Sequence, residues 1–134
     1  MSPKRKERVA PPAVAGEWDV RFGETAAAKG WDELCQRAAG NTRAAYEQMR
    51  FPPRPPESSR HKRLRGSLGT RKLDSRELEQ WQIEVMGGAR IWYLVDDDKH
   101  TVWVVHAAAA REHGAVAWAD VLRLAAVRGD GHPA

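Results

Sequence analysis

Chemistry at a phosphate needs a base to take a proton, cations for the charge that develops, and an acid for the leaving oxygen. Residues of these types cluster in the second half of the chain. Arg90 carries a planar guanidinium that matches two phosphate oxygens. His106 and His113 are candidate bases or acids, because an unperturbed imidazole titrates near pH ~6.5. Glu84 is another candidate base, Arg111 a second cation, and Tyr93 a group that could stack on a base or hydrogen-bond a phosphate. The basic block HKRLRGSLGTRK, His61 to Lys72, supplies Lys62, Arg63, Arg65, Arg71 and Lys72 as candidate RNA-binding cations.

Each residue also has a plainer reading. Arg90 can ion-pair with Glu84 across a hairpin, and Tyr93 can be core. His106 can be a hydrogen-bonded strand end, and Arg111 and His113 can open a helix. Trp31, Trp81 and Trp118 fit core stripes, which leaves Trp92 and Trp103 as stacking candidates if their sheet face is exposed.

The elements that must position these residues follow from periodicity. Residues 17–22, EWDVRF, alternate polar and apolar, which places Trp18, Val20 and Phe22 on one face of a strand. A helix follows, with Trp31, Leu34, Cys35 and Ala38 as a buried stripe. Gly30 inside it costs about 1 kcal/mol relative to Ala. Gly40 is a candidate stop and Asn41 a candidate N-cap. The second helix runs from Thr42 to about Phe51 with Ala45, Tyr46 and Met49 inward, and Pro52-Pro53 ends it. Residues 52–62 are a loop; RLRGSLG then offers a short extended piece, with a turn at 74–76.

Three strand-like runs close the pattern. Trp81, Ile83 and Val85 alternate with Gln82 and Glu84, Gly87-Gly88 signals a hairpin, and DDDKH makes a solvated turn. The runs 90–95 and 101–105 are nearly continuous in apolar residues, as in strands covered on both faces. A plain two-residue Gly-Gly loop pairs Val85 with Arg90 and puts Arg90 on the Trp81/Ile83/Val85 face. A bulge there reverses the parity. A connector over 107–114 leads to an amphipathic helix over 115–127. The whole reads as an α+β domain over 16–128: a small, mainly antiparallel sheet (β-α-α-β-β-β), two helices on one face and a C-terminal helix, between tails at 1–15 and 129–134.

The 134 residues suffice for one core. The 22 Lys and Arg against 18 Asp and Glu favour anionic partners. One cysteine allows no internal disulfide, and the sequence has neither a signal-like apolar run nor a membrane-length one, so a cytoplasmic protein is expected. There is no Walker loop, GxGxxG or CxxC, and the five histidines lack metal-ligand spacing, so neither cofactor nor metal is expected.

Arg63-Leu64-Arg65-Gly66 before the three-strand run, Ala89-Arg-Ile-Trp-Tyr-Leu-Val95, the acidic turn and Thr101-Val-Trp-Val-Val105 together resemble the RelE/ParE superfamily of type II toxin–antitoxin toxins. The first run is similar to the family's K-L-x-G and the second to its Y-R-[ILV]-x-Y-x-[IV]; the likeness covers roughly residues 17–113. It implies a toxin wrapped by a cognate antitoxin protein. In the RelE branch that is a ribosome-dependent endoribonuclease acting on mRNA, and RelE-like chains often carry a His or Arg just after the last strand. In the ParE branch it is a non-nuclease that inhibits DNA gyrase. RelE-type enzymes carry lysines on the first strand of the meander, where this chain has Gln82 and Glu84. A non-toxic nucleic-acid-binding domain is the third reading.

Overall fold

The computed structural model describes residues 5–9 and 13–108. The elements run β1 (Asp19–Phe22), α1 (Thr25–Arg37), α2 (Ala39–Arg50), β2 (His61–Arg63), a 3-10 turn (Gly66–Leu68), β3 (Thr70–Leu73), β4 (Arg76–Met86), β5 (Ala89–Asp96) and β6 (Thr101–Ala108). The fold is α+β, with a mixed six-stranded sheet in the order β1-β6-β5-β4-β2. Among the described residues only the β1–β6 pairing is parallel. β2 and β3 both pair antiparallel with β4, at Trp81–Ile83 and at Arg76–Glu79, so they act as one edge strand interrupted by the 3-10 turn. Two strands thus precede the meander where the expected order had none: β2 begins at His61, inside the expected loop 52–62, and RLRGSLG, expected to be extended, holds the 3-10 turn because Gly66 turns the chain at positive φ. The C-terminal helix expected over 115–127 lies outside the described residues, and residues 107 and 108, expected in the connector, belong to β6.

Both helices cover one sheet face. Ala27, Ala28, Trp31 and Leu34 of α1 and Ala45, Tyr46 and Met49 of α2 meet Phe22, Trp81, Ile83, Val85, Ile91, Tyr93 and Val104 in the main core. The expected α1 stripe is shifted: Cys35 is exposed and Ala38 only partly buried, because the helix turns its Ala27/Ala28 side to the sheet. The break between helices also falls elsewhere. Ala38 leaves helical geometry (φ −148, ψ 61) and α2 starts at once, so Gly40 and Asn41 lie inside α2. Arg50 reaches back to Glu17 and lies over the Tyr46 ring, fixing the end of α2 against the start of β1.

Gly30 has a different role from the weak point its helix propensity suggests. A Cβ there would stand 1.8 Å from the Ala107 carbonyl oxygen. The missing side chain lets α1 press on the backbone of β6 at the residue after His106.

The opposite face is covered too. Leu64, Leu73, Trp92, Leu94, Trp103 and Val105 form a second core, with Leu68 and Leu78 packed on it. The β3–β4 hairpin crosses this face to reach the β1 side. Asp74 at its tip pairs with Arg5 at 3.0 Å and Lys6 at 2.7 Å, and Arg71 approaches Glu24 at 3.4 Å. Beneath it Arg76 donates to both oxygens of the fully buried Asp96, which also accepts Trp103 Nε1 at 3.1 Å. Burial opposes the charge on Asp96, yet these donors and the Lys99 N–H hold its pKa below the ordinary carboxylate value. Trp92 and Trp103 are 5% and 6% exposed, so neither is a base-stacking platform.

Part of the expected N-terminal tail is structured. Lys6 N–H donates to Phe22 O and Val9 N–H to Val20 O, and Val9 is buried in the main core. This segment covers the outer edge of β1, where a bare edge would leave backbone groups unpaired.

Gly30→Ala tests the close approach. Helix propensity alone would stabilise by about 1 kcal/mol, whereas overpacking costs about 1–3 kcal/mol or more. With backbone as the obstacle the overlap wins, and urea denaturation should show a net loss of stability. Equal or higher stability would show that α1 does not press on β6.

Candidate functional site

The site is built on the hairpin between β4 and β5. Met86 pairs with Ala89 across Gly87-Gly88, with Gly88 at φ +83, and Glu84 pairs with Arg90. Val85 is the extra residue between these pairs, a β-bulge. It reverses the parity of a plain Gly-Gly loop, so Arg90 stands with Glu84 on the face opposite the helices. Their side chains approach at 3.7 Å, each about a quarter exposed.

Two cross-strand rows define the patch. In the first, Lys62 of β2 is opposite Gln82, Gln82 is opposite Trp92, and Trp92 is opposite His106. Trp92 Nε1 donates to Gln82 Oε1 at 2.8 Å, and its ring lies 5.4 Å from that of His106. In the second row Glu84 is opposite Arg90, which is opposite Ala108. A register shift between Trp92 and Tyr93 accommodates Val105 as a second extra residue, so Val105 packs in the core of this face while His106, next to it, still meets Trp92. Arg90 and His106 are therefore diagonal neighbours on adjacent strands, about 7–8 Å apart at the backbone. Lys62 lies three strands from His106, roughly 14 Å at about 4.8 Å per strand. Arg90 and His106 can share one phosphate; Lys62 is placed for the next.

His106 is exposed to solvent. Packing around the ring lowers its pKa below the ordinary imidazole value, and Arg71 lowers it further. It is therefore mainly neutral at pH 7 and able to accept a proton.

The remaining expected residues separate. Tyr93 is fully buried on the helix face; its hydroxyl donates to Pro53 O at 2.6 Å and bonds His61 Nε2. In this position it braces the proline-rich loop and does not meet a substrate. Since that hydroxyl's one proton is given to Pro53, His61 must be the donor, protonated on Nε2. His61, from the basic block, is buried, and burial lowers its pKa to about 4. The rest of the block is split by strand alternation. Lys62 and Arg71 belong to the patch face. Arg63 and Lys72 have the opposite parity, with Arg63 3.8 Å from Glu79, and Arg65 pairs with Glu57 at 3.1 Å. Arg111 and His113 lie outside the described residues.

Sequence reading left Gln82 without a role, although its alternation with Trp81 and Ile83 places it on this face. Arg54 was also unassigned; it joins the proline-rich loop to Glu79 at 3.0 Å and Asp97 at 2.8 Å, and only tertiary structure reveals that. Among the described residues no group of His, Cys, Asp or Glu could hold a metal ion, and no helix is long and apolar enough to cross a membrane.

No family model, curated protein or solved structure matches this chain.

Two titrations check the electrostatics. The unfolded His61 imidazole takes a proton near pH ~6.5 and the folded one only near 4. Its contribution is therefore full above pH ~6.5 and falls as pH drops toward 4, by about 3 kcal/mol at most. Denaturation at several pH values should show that fall, and His61→Phe should lessen it; identical slopes would contradict the burial. By NMR, His106 should titrate below the ordinary imidazole value. Arg71→Ala should raise the midpoint only partly, because burial is the larger cause. A midpoint at or above the ordinary value would contradict a neutral His106.

Proposed function

We propose that this chain is a RelE-like toxin that cleaves mRNA on the ribosome, with Arg90 and His106 at the centre of its site. The observation that carries the reading is their diagonal placement on the face opposite the helices, with cations on either side. Neutral His106 takes the proton of a 2′-hydroxyl. The 2′-oxygen bonds to phosphorus, the bond from phosphorus to the 5′-oxygen breaks, and that oxygen takes a proton from water. Arg90 binds the phosphate oxygens as charge grows on them. Glu84 orients Arg90, Arg71 adds positive potential, and Lys62 holds a neighbouring phosphate. Lys62 from β2 thus stands beside the strand on which RelE-type enzymes carry their lysines. The order of strand, two helices and meander, with the net positive charge, supports the same reading. The partners are the ribosome with its mRNA and a cognate antitoxin protein.

A ParE-like reading, in which the toxin occupies DNA gyrase without catalysis, is favoured by one observation: β4 holds no lysine.

Cell-free translation separates the two. The protein should stop synthesis and cut the message, while Arg90→Ala and His106→Ala, still folded by circular dichroism, should lose about 100-fold or more of the cutting. Undisturbed translation with excess protein would refute the mRNA reading. Inhibition of gyrase supercoiling with the message intact would establish the ParE-like one.

A further inference from the structure

The described residues contain a groove that the phosphate chemistry leaves unused. It has a volume of about 380 Å3 and lies between α2 and the free end of the sheet. Asn41, Ala44, Ala45 and Gln48 of α2 form one wall, and Ile83, Glu84 and Val85 of β4 with Arg60 and His61 form the other. It exists because β2 stops opposite Ile83. Beyond that point the neighbouring chain contributes one backbone bond, Glu84 N–H to Arg60 O, and then departs. Glu84 belongs both to this groove and to the Arg90 row, so groove and patch meet around the end of β4.

The lining suits a flat heteroaromatic ring. Ala44, Ala45, Ile83 and Val85 give apolar surface without bulk. Asn41 and Gln48 lie on one face of α2 two turns apart, about 10 Å, and the side-chain amide of either can both donate to and accept from the edge of a base. Gln48 Nε2 is engaged with Pro52 O at 2.7 Å, so its amide oxygen is held in a fixed direction. Arg60 is exposed, and no ion pair to it is formed among the described residues; its guanidinium can stack on a base or meet a phosphate. An aliphatic side chain from a protein would use the alanine floor and leave these polar groups unmatched. A base satisfies both, and the volume lies near the lower end of ordinary small-ligand sites.

We propose that this groove is a nucleobase subsite, holding one base of the RNA strand whose phosphate lies at Arg90 and His106. It rests on the RNA-cleaving function proposed above. It gives the chain a base preference next to the cut that the phosphate contacts alone cannot supply.

The test uses the full chain, labelled with 15N, titrated with AMP, CMP, GMP and UMP and with ribose 5-phosphate as a baseless control. The nucleotides should shift the amides of Asn41, Ala44, Ala45, Gln48 and Val85, one base binding several-fold tighter than the others, and ribose 5-phosphate should leave these amides unmoved. Asn41→Ala should weaken that preference. Ala44→Trp, at an exposed helix position, should abolish the groove shifts while the rest of the spectrum stays folded. Equal groove shifts from ribose 5-phosphate, or shifts confined to Lys62, Arg90 and His106, would overturn the subsite. Cleavage of mRNA with an unchanged base preference in Asn41→Ala and Ala44→Trp would overturn it while leaving the endonuclease reading intact. Base-selective groove binding by a protein that does not cut mRNA would sustain the subsite and refute the endonuclease.

Discussion

The extra residue at Val85 governs the rest of the site. Side chains alternate along a strand, so one added residue moves everything beyond it to the other face of the sheet. Without it Arg90 would point under the helices among Trp81, Ile83 and Val85, and an unpaired guanidinium there would be costly. With it, Arg90 faces away from the helices beside Glu84 and next to the row of Lys62, Gln82, Trp92 and His106. The bulge at Val105 does the same for His106: the strand keeps Val105 in the second core while the imidazole meets Trp92. Two local irregularities in neighbouring strands thus converge on one surface.

Those irregularities need a rigid frame, and burial on both faces supplies it. β5 and β6 lie between the helices on one side and the folded-over β3–β4 hairpin on the other. The hairpin has few apolar residues of its own, so charge holds much of it: Asp74 to the N-terminal segment, Arg71 to Glu24, and Arg76 to Asp96. The pairs at the tip are exposed and individually worth little, about 0–1 kcal/mol each. Arg76 with Asp96 is different, since removing the arginine would leave a fully buried carboxylate with fewer donors. At the far end Gly30 lets α1 lie against β6, so helix position and the placement of His106 are coupled.

Much of this frame was legible in the sequence. The apolar runs 90–95 and 101–105 indicated strands covered on both sides, and Ala45, Tyr46 and Met49 indicated the buried face of α2. Gly87-Gly88 marked the hairpin, but period-two alternation cannot tell a plain turn from a bulge, so the face of Arg90 stayed open. His61 and Lys62 look alike in a basic block, yet strand alternation buries one and exposes the other. The segment 5–9 reads as a tail because its composition is basic; its pairing with β1 is a long-range event that local patterns do not encode. Tyr93 and Trp92 are adjacent and chemically versatile, and only the two-sided packing shows that both are buried.

In the proposed reaction RNA is cut by its own 2′-hydroxyl, with His106 as base and Arg90 on the phosphate. The chemistry of the broken ends tests it most directly. Message recovered from a translation reaction containing the protein should carry a 2′,3′-cyclic phosphate on the upstream fragment and a 5′-hydroxyl on the downstream one, and neither fragment should form with His106→Ala. A 3′-hydroxyl with a 5′-phosphate, or a message left whole, would contradict it.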